Sequence, residues 1–223
     1  MREIVLDTET TGLKANGGDR LVEIGCVELV NYVATGQHYQ VYVNPERDMP
    51  NEAFRVHGLS EEFLADKPVF ADVVDGFLEF IEDSTLIIHN AEFDIGFLNA
   101  ELGNIGKPTL PMERTIDTVR IARQKFPGAR VNLDALCSRF QIDNTNRTLH
   151  GALLDAQLLS EVYLELVGGR QPGLELAAEK AKMKPETVES TTQRPARAHA
   201  PTSDEAAAHD ELVGQLTDPI WRA

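Results

Sequence analysis

Glu3-Ile4-Val5-Leu6-Asp7-Thr8-Glu9-Thr10-Thr11-Gly12 opens the chain with an apolar run that ends in two acids. Ile4, Val5 and Leu6, bounded by polar residues, have the pattern of a buried strand. Side chains alternate faces along a strand, so Asp7 and Glu9 point the same way from its end. Two carboxylates this close repel, and both stay ionised only when a cation bridges them. Hard oxygen ligands of this type suit Mg²⁺ or Mn²⁺. The segment therefore reads as the first strand of a fold built around a metal site.

Two further segments supply partners for that pair. His89-Asn90-Ala91-Glu92-Phe93-Asp94 follows a second apolar run, Leu86-Ile87-Ile88, and opens a helical pattern carried by Phe93, Phe97, Leu98 and Leu102. Later, Leu149-His150-Gly151-Ala152-Leu153-Leu154-Asp155 leads into an amphipathic helix that runs to about residue 167. Residues five apart differ by about 140° around a helix, so His150 and Asp155 do not share a helical face. His150 is expected on the approach, beside Gly151, with Asp155 on the helix itself.

Asp-x-Glu-Thr-x-Gly at 7–12, Asn-x-x-Phe-Asp at 90–94 and His-x-x-x-x-Asp at 150–155 occur in that order, and together they resemble the three motifs of the DEDDh exonuclease family. The resemblance covers roughly residues 1–167. It is strongest toward the bacterial replicative proofreading branch, on Arg147-Thr148-Leu149-His150-Gly151-Ala152-Leu153-Leu154-Asp155-Ala156-Gln157 and on the closing Trp221-Arg222-Ala223. It implies a ribonuclease-H-like fold and hydrolysis of the last phosphodiester at a DNA 3′ end, with release of nucleoside 5′-monophosphates. The implied cofactors are two divalent cations, Mg²⁺ or Mn²⁺. Two such ions about 3.5–4 Å apart can clamp an in-line displacement, one activating water and the other stabilising the leaving oxygen.

Carried onto this chain by the same resemblance, Asp7 bridges both ions, Glu9 and Asp155 complete the water-activating site, and Asp94 supports the second ion. His150 takes the proton from the attacking water, a task suited to imidazole, which exchanges protons near neutrality. In the family a His-Gly-apolar element lies against the terminal nucleotide, which here points to His57 and Leu59, with Leu59 wedged against the terminal base. Thr8, Glu9, Asn90 and His150 complete the implied substrate contacts. Wedging and stacking tolerate any sequence, as a nuclease that must act on every base requires.

At 223 residues and 42% hydrophobic content, the chain can build one α/β domain with a tail. Cys26 and Cys137 are far apart and form no Cys-x-x-Cys arrangement. Neither a zinc site nor a disulfide framework is expected, and buried free thiols in a reducing compartment are. No basic-then-apolar leader precedes the first strand and no apolar run is long enough to span a bilayer, so a soluble, cytoplasmic protein is expected.

The net charge of −15 argues against a nuclease that finds DNA unaided, because so many carboxylates weaken long-range attraction to phosphate. Two points offset this. Several of the acids are the implied ligands, and bound cations reverse the local field. There is also a basic stretch, with Arg114, Arg120, Arg123, Lys125 and Arg130 set against Asp117 alone; it reads either as a solvated helix face or as a DNA-strand contact. A weakly binding, acidic nuclease makes sense when a partner delivers its substrate.

Strands are expected at 2–8, 21–32, 39–43, 86–88 and 114–116, with Ala34-Thr35-Gly36 as a hairpin turn. Helices are expected at 51–56, 60–65, 70–82, 91–102, 118–125, 133–140 and 149–167. Ser60 caps the second of these, with Glu61 and Glu62 in its first turn. Three early strands followed by alternating helix and strand describe an α/β fold, a mixed five-stranded sheet flanked by helices. Asp7, the Asp94 loop and the Asp155 helix would converge at one edge of that sheet.

Composition changes at Gly168-Gly169, from where Ala, Glu, Lys, Thr, Arg and Pro dominate as far as Pro201. Such a segment buries too little apolar surface to offset its ordering entropy. The expected organisation is an exonuclease domain at 1–167, a flexible linker at 168–201 and a partner-binding segment at 202–223. Within the linker, Gln171, Leu174 and Leu176 resemble the short peptide by which replication proteins grip the sliding clamp. Thr202 and Glu205 form a capping-box pattern ahead of Leu212, Val213 and Leu216. Trp221, the chain's only tryptophan, follows Ile220 and is the residue type most expected as a binding anchor; an amphipathic helix laid into a groove fits the stripe. In the proofreading branch this region binds the catalytic subunit of the polymerase, a role the resemblance carries to Leu212, Leu216, Ile220 and Trp221. Two other readings compete. An RNA-trimming exonuclease could share the site, since a metal centre reads phosphate and not sugar. A structural subunit of a polymerase assembly is the third.

Overall fold

The computed structural model describes residues 1–168 and 200–217. The run Ile4-Val5-Leu6 lies inside β1 (Arg2–Thr10), the middle strand of a five-stranded sheet ordered β3-β2-β1-β4-β5. β2 (Leu21–Val30) pairs antiparallel with β1 and with β3 (Val33–Tyr42). On the other side β4 (Thr85–Ile88) and β5 (Thr115–Asp117) run parallel to β1. The mixed sheet read from the sequence is the one observed. β1 continues past Glu9 to Thr10, so both acids sit within the paired strand, Asp7 opposite Gly25 and Glu9 opposite Glu23.

Alternation along β1 divides the core into two layers. Ile4 and Leu6, with Ile24, Cys26, Leu86 and Ile88, face α3 (Phe70–Ile81) and α4 (Ala91–Asn104). On α3, Phe70, Val74, Phe77 and Ile81 form the buried stripe at helical spacing; each such side chain contributes about 1.5–3 kcal/mol when withdrawn from water. Val5, with Val27, Leu29 and Ile87, faces the opposite layer of α5 (Thr118–Lys125), α6 (Leu133–Phe140) and α7 (Ala152–Leu166). Two short helices, α1 (Asn51–His57) and α2 (Glu61–Ala65), connect β3 to α3, and Ser60 caps α2 through Phe63 N–H as expected. Both cysteines are buried and unpaired.

One expectation is overturned. The β2–β3 turn is not at Ala34-Thr35-Gly36, which lie inside β3. Asn31 (φ 50°) and Tyr32 (φ 66°) form the turn instead, two consecutive left-handed residues whose twist matches that of the flanking strands. Asn tolerates this conformation, and the Asn31 N–H donates to the carbonyl of Met1 at 2.9 Å. Gly36, at φ 88°, serves an irregularity where the β2–β3 register shifts between Val27 and Leu29.

The basic stretch divides by role. Arg114 donates to the carbonyls of Ser84 (2.6 Å), Ile81 (3.0 Å) and Glu82, closing the end of α3. Lys125 does the same for α7 through Glu165 O (2.9 Å) and Leu166 O (3.1 Å). Arg120, Arg123 and Arg130 are exposed.

The sheet and α1–α7 belong to one compact unit; α8 (Ser203–Gln215) lies in a second. The capping box forms, with Thr202 Oγ1 accepting from Glu205 N–H at 3.3 Å and Glu205 Oε2 accepting from Thr202 N–H at 2.8 Å. Val213 is buried, whereas Leu212 and Leu216 are exposed. Gln171, Leu174, Leu176, Ile220 and Trp221 lie outside the described residues, as does most of the expected linker. Among the described residues no helix is long and apolar enough to cross a membrane.

Candidate active site

Asp7 and Glu9 emerge from the face of β1 on which α7 packs, and Gly25 and Glu23 determine how closely α7 comes down. A Cβ at Gly25 would lie 2.3 Å from the carbonyl carbon of Ala152 and from the nitrogen of Leu153. Only glycine lets the first turn of α7 rest on β2 here. Gly151, the N-cap of α7, brings no side-chain cap. Glu23 supplies one from the strand, its Oε2 accepting from Ala152 N–H at 3.1 Å while Oε1 accepts from the Gln40 amide at 2.8 Å. Asp155, in the first turn of α7, is thereby held over Glu9.

Asp94 arrives from the opposite layer. Asn90 (φ 72°) turns the chain from β4 into α4, and Asp94 occupies the first turn of α4. The Thr8 hydroxyl donates to Asp94 Oδ1 at 2.7 Å, which orients that carboxylate. His150 stands before α7, as expected, and its N–H is hooked to Val56 O at 3.0 Å. Ligand atoms of Glu9, His150 and Asp155 lie within 4.8 Å of one another. Asp7 and Asp94 line the same cleft, which has a volume of about 760 Å³, in the range of small-ligand pockets.

Electrostatics single out this cluster. Burial, then the charges of Asp94, Glu9 and Asp155, push the Asp7 carboxyl well above the usual range. Burial, then Asp155 and Glu23, push Glu9 up to about 8. Asp94 rises to about 7, again mainly through burial and against the hydrogen bond from Thr8. Asp155 goes the other way: burial would raise it, but the hydrogen bonds and charge of Arg147 hold it below its ordinary value. A set of buried and half-buried carboxylates beside one exposed imidazole, several of the acids resisting ionisation, is a donor set that a hard divalent cation would relieve.

Arg147 is the residue that sequence reasoning passed over. Its side chain is 7% exposed. Nε and Nη2 donate to Asp155 Oδ1 and Oδ2, both at 2.6 Å, and Nη1 donates to Asp134 at 2.7 Å. Nη2 is also 2.9 Å from His150 Nδ1, which in turn is 3.2 Å from Asp155 Oδ2. An arginine in a polar loop resembles any solvated charge, so the stretch that carries the family resemblance includes Arg147 without giving it a role. Gly25 did carry a signal, a glycine inside a strand pattern.

The implied substrate contacts are only partly brought together. Thr8, Glu9, His57 and His150 line the cleft; Leu59 and Asn90 do not. Leu59 is half-buried and donates its N–H to His57 Nδ1 at 3.0 Å. Asn90 is exposed, its N–H donating to Asp117 at 3.1 Å. Apolar walls come instead from Val56 and from Leu13, which is 82% exposed. Burial lowers the pKa of His57, against a weak backbone hydrogen bond to Thr10 that works the other way.

A family model described as an exonuclease matches residues 4–163. Among solved structures, exonuclease X in complex with 5′-overhanging duplex DNA gives a TM-score of 0.59 at 27% identity, covering 74% of this chain and 90% of that one. The nuclease domain of 3′hExo, a DEDDh family member bound to rAMP, gives 0.65 at 16% identity over 74% and 91%, a likeness of fold alone. Fold and family match define a 3′–5′ exonuclease of the DEDDh class. The chain is 51% identical to the DNA polymerase III subunit epsilon of Rickettsia conorii, over 97% of its own length and 96% of that protein. It is 47% identical to that of Escherichia coli K12, over 100% and 98%. It belongs to the exonuclease family, in the branch of the DNA polymerase III epsilon subunits.

Proposed function

We propose that this chain removes mismatched nucleotides from DNA 3′ ends as the proofreading subunit of a replicative polymerase, using two divalent cations, Mg²⁺ or Mn²⁺. The observation that carries the reading is the cluster of half-buried Asp7 with buried Glu9, Asp94 and Asp155 and the His150 imidazole at its edge. Bound there, the cations would supply Lewis-acid activation of water and positive charge for the leaving oxygen. Asp7, on the central strand, Glu9, Asp155 and Asp94, the last steadied by Thr8, would hold them. His150, with a side chain 47% exposed, accepts the proton of the attacking water. His57 lines the cleft toward the terminal nucleotide, beside the apolar walls of Leu13 and Val56.

Delivery of the substrate falls to partners, in keeping with the net charge of −15 and the identity with named polymerase subunits. Segment 202–223, through Leu212, Leu216, Ile220 and Trp221, binds the DNA polymerase III catalytic subunit in the cytoplasm. Gln171, Leu174 and Leu176 contact the sliding clamp.

The test is degradation of a 5′-labelled single-stranded DNA with Mg²⁺, beside the same sequence as RNA and a primer with a mismatched 3′ end. Stepwise shortening of the DNA is expected, fast on the mismatch and slow on the paired end. Asp7→Ala should fall to background and His150→Ala by about 10²-fold or more. Preference for RNA, or an Asp7→Ala protein as fast as the parent, would refute the reading.

A further inference from the structure

We infer that Arg147 is a positioning residue that competes with a divalent cation for Asp155 and so ties the state of His150 to occupancy of the metal site. The inference rests on the assignment of Asp7, Glu9, Asp94 and Asp155 as metal ligands. Both oxygens of Asp155 are taken by the guanidinium, in a two-pronged pair with both distances at 2.6 Å. Such a fork aims the carboxylate at the arginine. A cation that draws on Asp155 therefore meets a fixed positive charge at ion-pair distance, and the two repel.

The second contact couples this competition to the proposed base. Guanidinium nitrogens only donate. Nη2 at 2.9 Å and Asp155 Oδ2 at 3.2 Å face the same Nδ1 of His150, and the guanidinium favours the tautomer in which Nδ1 accepts and the proton of the neutral ring sits on Nε2. A ring in that form presents no lone pair to the cleft. Released from Arg147, Nδ1 can donate to Asp155 Oδ2, 3.2 Å away, and Nε2 becomes the acceptor. A third contact gives the guanidinium somewhere to stay: Asp134, whose side chain is 54% exposed, accepts Nη1 at 2.7 Å and is itself steadied by Asn144 at 3.1 Å. Arg147 thus sits between an inner carboxylate that a metal would claim and an outer one that it would not.

The experiment is calorimetric titration of the full-length protein with Mn²⁺ in the absence of nucleic acid. Arg147→Gln should bind Mn²⁺ on the order of tenfold more tightly than the parent, and Arg147→Lys, which keeps the charge, within about threefold of it. A residue that merely braced the site would give the opposite sign, since its loss would loosen the ligands. Binding by Arg147→Gln that is equal to or weaker than the parent's overturns the inference and leaves the metal assignment standing. No Mn²⁺ binding by any of the three proteins overturns both. A second measurement does not depend on how the variant folds: in the ¹⁵N spectrum of the parent, the Arg147 Nε resonance should leave its ion-paired position as Mg²⁺ is added. A resonance that stays in place through saturation overturns the inference.

Discussion

Glu9 and Asp94 keep their protons to about 8 and about 7, against 4.5 and 3.8 for the same groups in their ordinary state. Across that window the folded chain binds more protons than the unfolded one, so the stability of metal-free protein falls as pH rises from about 4 to about 8. Asp155, held low, contributes the other way, with stability that is lost only as pH falls through its lowered value. The melting temperature in EDTA should therefore decline between about pH 5.5 and pH 8, and saturating Mg²⁺ should flatten the slope by taking the place of the protons. A melting temperature in EDTA that is level over that range would contradict the account. At this scale the sequence was informative where a residue type has few uses. Paired acids two apart on a strand announce themselves. Arg147 does not, because what distinguishes it is burial among carboxylates, a property of the folded loop.

At the scale of elements, the docking of α7 on β2 decides whether Asp155 reaches Glu9. Gly25→Ala places a methyl group 2.3 Å from the backbone of Ala152 and Leu153, which cannot give way as a side-chain tip can. A loss of about 1–3 kcal/mol in denaturant unfolding is expected, with exonuclease rate down at least about tenfold because the helix that carries Asp155 is pushed outward. Gly96→Ala is the control, in the middle of α4 with nothing within 4 Å of the added carbon. It should gain about 0.5–1 kcal/mol from helix propensity. If Gly25→Ala proved as stable and as active as Gly96→Ala, the close approach would carry no weight. Elements were legible where periodicity is strong, as in the Phe70, Val74, Phe77, Ile81 stripe of α3. They were misread at the β2–β3 hairpin, where one positive-φ glycine looked like the turn while Asn31 and Tyr32 supplied it.

For the molecule as a whole, an acidic chain with a cation-hungry cleft favours a nuclease that works where it is carried. Trp221→Ala should abolish co-purification with the polymerase catalytic subunit and leave the rate on free single-stranded DNA unchanged; undiminished co-purification would remove the tail from the account. The overall plan was readable because strand order and layer arrangement follow from alternation and helix spacing, while the distances that set up the chemistry were not, being fixed by contacts between residues more than a hundred positions apart, such as Glu23 with Ala152. The same alternation leaves Cys26 wholly buried in the layer of α3 and α4, and Cys137 wholly buried in the layer of α5, α6 and α7. Each side of the sheet thus carries its own native thiol clock. The alkylation rate of each cysteine under native conditions reports how often its side opens. Matched rates mean that the layers part together, whereas a faster Cys137 means that the side bearing Asp155 breathes while the side bearing Asp94 stays shut.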